Sequence, residues 1–380
     1  MHADVVVVGG GIQGVTLTLA AARKGLRPVL VERSEIASGA TGNSYGIIHG
    51  GLRYLQTLDL PRWCRSRAAQ RWFLENYPQF VRPLPCLMPL YRGCFRSPAA
   101  FRAAGMMESL LYATIGGEPP LPRLQVITAA DVTNTYPVPA AGLTGAALWY
   151  DAEITDLRAL MAAILADAGV NADALLLRCE AVGLSTVGDR LNGLRVRSSG
   201  DEQIIETDTV INCAGSWING WSGAQPGPSA AALAFNLMLD MPFPGDAAVA
   251  VSETPGRGRS YFLRSFQGKT FAGTYYRPAP DDPEPTPTEA DVAHFLAILD
   301  RAMPGLNLAR TPVLRVMPGL LPDKDGSGKD LSSRDVVVYD QPKGFHTVLG
   351  GKLTTAPLLS LDIADRLWRD NVRTGQAKCL

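Results

Sequence analysis

The stretch Val5-Val6-Val7-Val8-Gly9-Gly10-Gly11-Ile12-Gln13-Gly14 decides the fold. Its four valines form a short β-branched run, which predicts a buried strand of a parallel sheet. The glycines at positions 9, 11 and 14 fit the pattern Gly-x-Gly-x-x-Gly, and a helix is predicted from Thr16 to Lys24. A second strand is predicted from Pro28 to Glu32, so the stretch opens a βαβ unit of the dinucleotide-binding type.

Each glycine of this motif has a physical role in holding a dinucleotide. The first permits the turn, the second lets the backbone approach a pyrophosphate, and the third lets the helix pack closely on the strand. The helix N-terminus favours the phosphate charge. Glu32 ends the second strand and is expected to hold a ribose 2′-hydroxyl, which disfavours a 2′-phosphate. The motif by itself leaves NAD and FAD open as the bound dinucleotide.

The bulk composition bounds the class of protein. The chain has 380 residues, 46% hydrophobic and 19% charged, which is ordinary for an enzyme of about two domains. Its 36 basic and 36 acidic residues cancel, so we expect no nucleic-acid partner, while membrane contact through a local basic patch stays open. Six scattered cysteines and an N-terminus without a signal-peptide pattern predict a cytoplasmic protein without a metal site.

Two further stretches narrow the choice of cofactor: Ile47-Ile48-His49-Gly50-Gly51-Leu52-Arg53-Tyr54-Leu55 and Gly350-Gly351-Lys352-Leu353-Thr354-Thr355. With the N-terminal motif, Tyr150-Asp151 and the run from Val210 to Trp217, they make the chain resemble the FAD-dependent glycerol-3-phosphate dehydrogenases. These belong to the glycine oxidase and D-amino-acid oxidase superfamily of flavoproteins. The resemblance covers most of the chain and implies FAD as the cofactor, whereas an NAD-dependent dehydrogenase would leave the last stretch unexplained.

The resemblance also implies a fold and a reaction. The fold is α/β, with a Rossmann-like FAD-binding domain of the glutathione reductase type built from discontinuous segments, and an inserted α+β substrate domain carrying an antiparallel sheet. We expect the FAD-binding domain at residues 1–82, 151–222 and 310–380, and the substrate or cap domain at 83–150 and 223–309. The family's extra C-terminal helical domain is expected to be absent. The implied reaction moves hydride from a small polar CH–OH substrate, glycerol 3-phosphate or a related hydroxy compound, to flavin N5.

FAD is expected to lie extended along the molecule. The resemblance implies that its ADP half contacts the glycine motif and Glu32, and that the loop from Ser38 to Ser44 lines the pyrophosphate and the flavin edge. A helix start near Gly351 to Thr354 would stabilise negative charge on the reduced flavin. The expected cofactor-binding residues are Gly9, Gly11, Ile12, Gln13, Gly14, Glu32, Arg33, Ser38, Thr41, Ser44, His49, Gly50, Val182, Ala214, Gly215, Trp217, Gly351, Lys352, Leu353 and Thr354.

Substrate oxidation also requires loss of a proton from the heteroatom. A base with a pKa near neutrality suits this step, and His49 is our candidate among the four histidines. Arg53 and Lys352 complete the expected catalytic set, because arginine grips oxyanions in a bidentate manner and lysine acts as a point charge. The expected substrate contacts are Arg53, Tyr54, Arg315 and Tyr275.

Two departures from the family pattern concern the substrate. Met317 stands where the family has an arginine that helps to grip phosphate, with Arg315 two residues away, and Gly273-Thr274 is followed by Tyr275-Tyr276 in place of Thr-Asp. An amine or amino-acid oxidase that uses oxygen therefore stays open as an alternative. So does a non-catalytic flavoprotein subunit that needs a partner chain. The electron acceptor, a quinone or oxygen, and a homo-oligomeric state also stay open.

Overall fold

A computed structural model of the protein describes residues 1–115, 121–218, 230–279, 286–323, 336–339, 342–349 and 352–369. In chain order the strands of these ranges are β1 (Val5–Val8), β2 (Pro28–Glu32), β3 (Ile47–Ile48), β4 (Val81–Tyr91), β5 (Gln125–Ile127), β6 (Leu143–Ile154), β7 (Leu175–Leu177), β8 (Cys179–Val187), β9 (Arg190–Ser198), β10 (Asp201–Glu206), β11 (Val210–Asn212), β12 (Ala230–Leu239), β13 (Ala248–Thr254), β14 (Arg257–Phe266), β15 (Lys269–Pro278), β16 (Val313–Asp323), β17 (Val336–Val338) and β18 (Phe345–Leu349).

The helices of the same ranges are α1 (Ile12–Arg23), α2 (Leu52–Gln56), α3 (Leu60–Asn76), α4 (Pro98–Ile115), α5 (Ala129–Thr133), α6 (Leu157–Asp167), α7 (Glu289–Ala302) and α8 (Ala356–Leu367). The predicted first helix begins earlier than expected, at Ile12. Gly11 has an extended backbone (φ −76°, ψ 175°) and precedes the helix as its N-cap residue, so the glycine motif itself sets the helix start. Within the described ranges, no helix has both the length and the apolar composition needed to cross a bilayer.

A six-stranded sheet carries the glycine motif, in the order β17-β18-β11-β1-β2-β7. β1 pairs in parallel with β2 and with β11, so Val6 lies opposite both Val29 and Val210. Val5 and Val7 belong to a core shared with α1, α6 and α8, whereas the alternate valines of β1 face a core shared with the three-stranded sheet β10-β9-β8. Because both faces of the sheet are covered, every residue of β1 is buried.

A nine-stranded sheet forms the other half of the fold, in the order β16-β12-β15-β14-β13-β4-β6-β3, with β5 also on β6. Its pairs are antiparallel except for β13 with β4. One face packs on α7 around Phe235, Leu263 and Phe295. The opposite face meets the loop before β3, where the Tyr45 hydroxyl lies 3.0 Å from the Phe262 carbonyl and 2.9 Å from that of Phe271. These sheets confirm the predicted α/β class with a second, largely antiparallel sheet.

The nine-stranded sheet reaches beyond the segments 83–150 and 223–309 that were expected to form the substrate domain. β16 pairs with β12 along most of its length, and β3 pairs with the end of β6, so residues 47–48 and 313–323 belong to this sheet by hydrogen bonding. Sequence periodicity marks strands but does not identify their partners, which is why the expected boundary at residue 310 differs from the sheet boundary. The division into two domains remains our proposal.

Candidate active site

The glycine turn is built so closely that side chains are excluded from it. Gly9 has φ +105°, and a Cβ there would lie 2.6 Å from the carbonyl oxygen of Cys213. A Cβ on Gly14 would lie 1.9 Å from the oxygen of Gly9. A Cβ on Gly11 would approach only the Thr41 hydroxyl, at 3.2 Å. Gly9 and Gly14 therefore serve backbone packing, while Gly11 opens the turn toward the loop that contains Thr41.

Glu32 is buried beside this turn, at the end of β2. One carboxylate oxygen accepts the Gly10 N–H at 2.6 Å and the other accepts the Ser34 N–H at 2.8 Å. Each oxygen keeps a second lone pair, so the carboxylate is still able to accept a ribose hydroxyl. The predicted ribose contact is thus compatible with a residue that also shapes the turn.

Three buried polar atoms have no hydrogen-bond partner among the described residues: the hydroxyls of Ser44 and Ser216 and the indole nitrogen of Trp217. They lie at residue 44 and in the segment 214–217, both of which were expected to contact the cofactor. The Trp217 ring lies 4.5 Å below the guanidinium of Arg33 and would be 3.3 Å from a Cβ on Gly39. Buried donors are rarely left unpaired. These atoms, together with the opening at Gly11, fit a dinucleotide that carries acceptor groups.

Several other expected cofactor residues form hydrogen bonds within the protein. The Ile12 N–H donates to the Thr41 hydroxyl at 3.1 Å, and the Gln13 amide donates to the hydroxyl of Ser360 at 2.9 Å, which ties α8 to α1. Val182 lies at a register shift in β8, and Ser38 is exposed. The N–H of Ala214 donates to the Asn212 side chain at 3.1 Å. Of the other expected cofactor residues, Gly215 has φ +61°, and Leu353 packs on the core that α8 shares. Gly351 lies outside the described residues.

His49 follows β3, and its imidazole is half exposed. The Nδ1 atom of the ring lies 2.8 Å from one carboxylate oxygen of Asp151, and the Gly50 N–H donates to the other oxygen at 2.7 Å. Burial acts to raise the pKa of the Asp151 carboxyl. The charge of a protonated His49 and the hydrogen bonds from His49 and Gly50 outweigh burial and hold this pKa below its ordinary value. A buried carboxylate thus lies behind a half-exposed histidine.

The loop that carries His49 meets the segment that precedes α8. The His49 N–H donates to the Thr354 hydroxyl at 3.3 Å, and the Lys352 ammonium lies 3.3 Å from the Tyr54 hydroxyl. The Arg53 guanidinium lies 5.3 Å from the centre of the Tyr54 ring. Burial acts to raise the pKa of Tyr54, but the charges and hydrogen bonds of Lys352 and Arg53 lower it overall. This cluster concentrates positive charge beside His49, which suits an anionic group.

The structure does not bring Tyr275 to this cluster. Its ring packs against Phe235 at 5.1 Å and Phe295 at 5.4 Å, on the α7 face of the nine-stranded sheet. The pairing of β12 with β15 is irregular between Phe235 and Leu237, and this irregularity changes which face the following residues occupy. Tyr275 is thus partly buried against the core on the α7 face, and the structure does not support its expected place beside the His49 cluster.

Arg315 is exposed on β16, opposite Met238. Met317 is buried two residues further along, opposite Asn236, whose amide donates to the Asn43 carbonyl at 2.7 Å. A Cβ on Gly319 would lie 3.1 Å from Ala40. The expected cofactor loop thus adjoins Met317 and Gly319, and Arg315 lies further away along the strand.

The expected site set lacked several buried polar residues around His49. Asp151 was visible in the sequence only as part of a family-like run, with no spacing that ties it to residue 49. Gln70, on α3, donates from its amide to the Ile48 carbonyl at 2.9 Å. Arg264 is buried, pairs with Glu153 and lies 3.0 Å from the Tyr45 carbonyl. An arginine on a strand gives little indication in the sequence that it is buried. Its burial is explained by its ion pair with Glu153, which only the structure shows.

Comparison with known proteins identifies the family of the chain. The family described as FAD dependent oxidoreductase (DAO) matches residues 4–366. Glycerol-3-phosphate dehydrogenase 1 of Mycobacterium bovis is 30% identical over 382 residues, which cover 96% of this chain and 72% of that protein.

Two solved structures show the same fold. Glycerol-3-phosphate dehydrogenase of Bacillus halodurans, complexed with FAD, has a TM-score of 0.68 at 18% identity, over 96% of this chain and 64% of that one. L-α-glycerophosphate oxidase of Mycoplasma pneumoniae, with FAD bound, has a TM-score of 0.69 at 16% identity, over 97% of this chain and 95% of that one. The chain is therefore an FAD-dependent oxidoreductase, and it belongs to the FAD dependent oxidoreductase family, in the branch that resembles glycerol-3-phosphate dehydrogenases.

Proposed function

We propose that this enzyme oxidises the CH–OH group of glycerol 3-phosphate or of a closely related phosphorylated or carboxylated hydroxy compound. The observation that carries the proposal is the convergence of Arg53, Tyr54 and Lys352 beside His49 and Asp151. A cationic cluster next to a histidine–carboxylate pair provides both an anion anchor and a base. The 30% identity to a glycerol-3-phosphate dehydrogenase supports the same substrate class.

The residues of the site divide the work between binding and proton transfer. Arg53 and Lys352 hold the anionic end of the substrate, and the Tyr54 hydroxyl donates to it. His49 accepts the proton of the substrate hydroxyl. Bound FAD supplies the acceptor for the hydride that leaves the carbon. The residues that would hold it are the turn from Gly9 to Gly14, with Glu32, Thr41, Ser44 and Trp217.

The test is anaerobic reduction of the flavin in the purified holoenzyme. Glycerol 3-phosphate, glycerol, lactate and glycine are each added, and the loss of the visible absorbance of oxidised flavin is followed. We expect glycerol 3-phosphate to reduce the flavin and uncharged glycerol to fail, because the cationic cluster needs an anion. Reduction by glycerol alone, or by none of the hydroxy compounds, would refute the proposal.

One observation favours the second candidate, an amine or amino-acid oxidase. Met317 is buried where the family pattern has its phosphate-gripping arginine, so the phosphate anchor is weaker than that pattern implies. The fold is also similar to that of glycine oxidase from Geobacillus kaustophilus, with a TM-score of 0.66 at 16% identity. Flavin reduction by glycine in the same assay, without reduction by glycerol 3-phosphate, would select this candidate.

We also propose that a quinone or oxygen reoxidises the flavin and that the enzyme works in the cytoplasm. The cysteines of the described residues, Cys64, Cys86, Cys94, Cys179 and Cys213, are all free thiols, which supports a reducing compartment. Peroxide release during turnover would identify oxygen as the acceptor, and quinone reduction without peroxide would identify a quinone. Size-exclusion chromatography with light scattering would test the homo-oligomer.

A further inference from the structure

We propose that Asp151 is a positioning residue that fixes the ring orientation and tautomer of His49, so that the Nε2 atom of His49 faces the substrate hydroxyl. The inference rests on the proposed role of His49 as the base. It assigns a task to a buried carboxylate on β6, in the nine-stranded sheet, about 100 residues away in sequence.

The first argument is the chemistry of the contact between the two side chains. The Nδ1 atom of His49 lies 2.8 Å from the Asp151 carboxylate, and an ionised carboxylate only accepts hydrogen bonds. The Nδ1 atom must therefore carry the hydrogen. In the neutral imidazole this leaves Nε2 with a free lone pair, which is the state that a base needs. The carboxylate thus selects the reactive tautomer.

The second argument is that Asp151 itself is held in place. Its carboxylate is almost fully buried and also accepts the Gly50 N–H at 2.7 Å and the indole N–H of Trp149 at 3.2 Å. These donors, with a longer contact from the Gln70 amide at 3.5 Å, keep it ionised and fix both oxygens. Because Gly50 is the next residue after His49, the same carboxylate sets the direction in which the histidine side chain leaves the backbone.

The third argument is that the backbone on either side of His49 is clamped. The Gln70 amide donates to the Ile48 carbonyl at 2.9 Å, and the Gln70 oxygen accepts from Arg67 at 3.0 Å. Arg67 in turn pairs with the buried Glu108 of α4. With the backbone fixed, only the ring torsions of His49 remain to be set, and the bond to Asp151 sets them.

Among the described residues, the charged and titratable groups next to Asp151 include Arg67 and Cys86. Arg67 lies close enough to lower the pKa of Asp151, and the Cys86 sulfur lies 3.9 Å from its carboxylate. Burial raises the pKa of Cys86 well above its ordinary value, so this thiol stays neutral. Lys352 and Tyr54, which are joined by a hydrogen bond where the segment before α8 meets the His49 loop, are assigned to the substrate anion.

The proton balance of the step is simple. The substrate O–H bond breaks and an N–H bond forms at Nε2 of His49, which becomes an imidazolium. Bound FAD would supply the acceptor for the C–H hydrogen with both of its bonding electrons, and the carbon–oxygen bond would become a carbonyl. Asp151 stabilises the imidazolium through the existing bond at Nδ1 and takes no proton itself.

The experiment uses holoenzyme labelled with ¹⁵N only in histidine, whose ring nitrogens report tautomer and charge by NMR. Loss of one ring signal in His49→Gln identifies His49 among the four histidines. We expect the wild-type ring to carry its hydrogen on Nδ1. In Asp151→Asn we expect the ring hydrogen to be shared between Nδ1 and Nε2 of His49, because an amide side chain can donate to Nδ1 as well as accept from it. The plateau rate of flavin reduction should fall about 100-fold.

Arg82→Ala is the matched control, because it removes an exposed ion-pair partner of Glu153, two residues further along the same strand, and leaves the contact between Asp151 and His49 in place. It should keep the Nδ1 tautomer of His49 and should keep the plateau rate within a factor of about three. Asp151→Glu, which retains the charge, should recover part of the plateau rate.

An Asp151→Asn enzyme that keeps FAD, the Nδ1 tautomer of His49 and the rate would overturn the proposal. If Asp151→Asn does not fold, the wild-type tautomer decides, and a hydrogen on Nε2 would refute the positioning role. If no hydroxy compound reduces the wild-type flavin, the proposed function fails while the NMR result still judges Asp151.

Discussion

The glycine turn and the His49 cluster are two sites built by opposite means. The turn spans residues 9 to 14, and at Gly9, Gly11 and Gly14 it depends on the absence of a side chain, so these positions are defined by the space around them. The His49 cluster uses side chains from the loop after β3, from β6 and from the segment before α8. A local backbone site can be predicted from residue spacing, whereas a site assembled from distant side chains depends on the whole fold.

The largest effect that this comparison predicts is at Gly14. In Gly14→Ala the new Cβ would lie 1.9 Å from the Gly9 oxygen, so α1 cannot remain packed on the turn. We expect the protein to be insoluble or to purify without flavin, as measured by absorbance and by flavin released on heating.

Gly188→Ala is the matched control for this variant. Gly188 has φ +64° in the turn between β8 and β9, and nothing lies within 4 Å of its added Cβ. It should cost only about 1 kcal/mol of stability from backbone strain and keep its flavin. A Gly14→Ala enzyme with normal flavin content would show that the turn is less tightly packed than its geometry indicates.

The same contrast explains what could be predicted from the sequence. The unit β1–α1–β2 followed from a run of valines, a glycine pattern and Glu32, because each is a local consequence of backbone geometry. His49 and Arg53 were predicted from their family-like motif, and their roles remain predictions. Asp151 and Gln70 were not assigned roles, because their importance comes from contacts with residues 49 and 48 that no periodicity encodes.

Arg53→Ala is expected to have the next largest effect. Removing a charged hydrogen-bond donor from an anion site costs about 1.5–3 kcal/mol, so the KM for the anionic substrate should rise about 10- to 100-fold. Flavin content should not change, because the glycine turn is intact. Stopped-flow reduction at varied substrate concentration measures the effect.

Arg62→Ala is the control for Arg53. The Arg62 guanidinium also lies near the Tyr54 ring, at 5.7 Å, but it pairs with Asp59. Its KM should stay within about threefold of wild type, as for an exposed ion pair. Equal effects of the two variants would mean that general positive charge, not the Arg53 contact, attracts the substrate.

Lys352→Met should have a smaller effect and should change the pH dependence. The charge of Lys352 is the largest influence that lowers the pKa of Tyr54, so its removal should raise that pKa. If a protonated Tyr54 donates to the substrate anion, the alkaline limb of the kcat/KM profile moves to higher pH, and KM rises about tenfold. The limb should vanish in Tyr54→Phe, and an unshifted limb in Lys352→Met would exclude Tyr54 as its origin.

The smallest expected effect is at Tyr275. The residue type predicted a substrate contact there, whereas the position of the side chain in the structure predicts none. A tyrosine beside a glycine–threonine pair was expected to contact the substrate, but its ring packs on Phe235 and Phe295 of the α7 face. Tyr275→Phe should therefore leave kcat and KM unchanged and alter stability by no more than about 0.5 kcal/mol. Tyr276→Phe is the matched variant for comparison with Tyr275→Phe, because Tyr276 lies on the face of the sheet opposite α7. There it hydrogen-bonds Thr274, whose hydroxyl donates to Asn236 at 2.7 Å. A KM increase for Tyr275→Phe alone would mean that β15 presents its other face to the substrate.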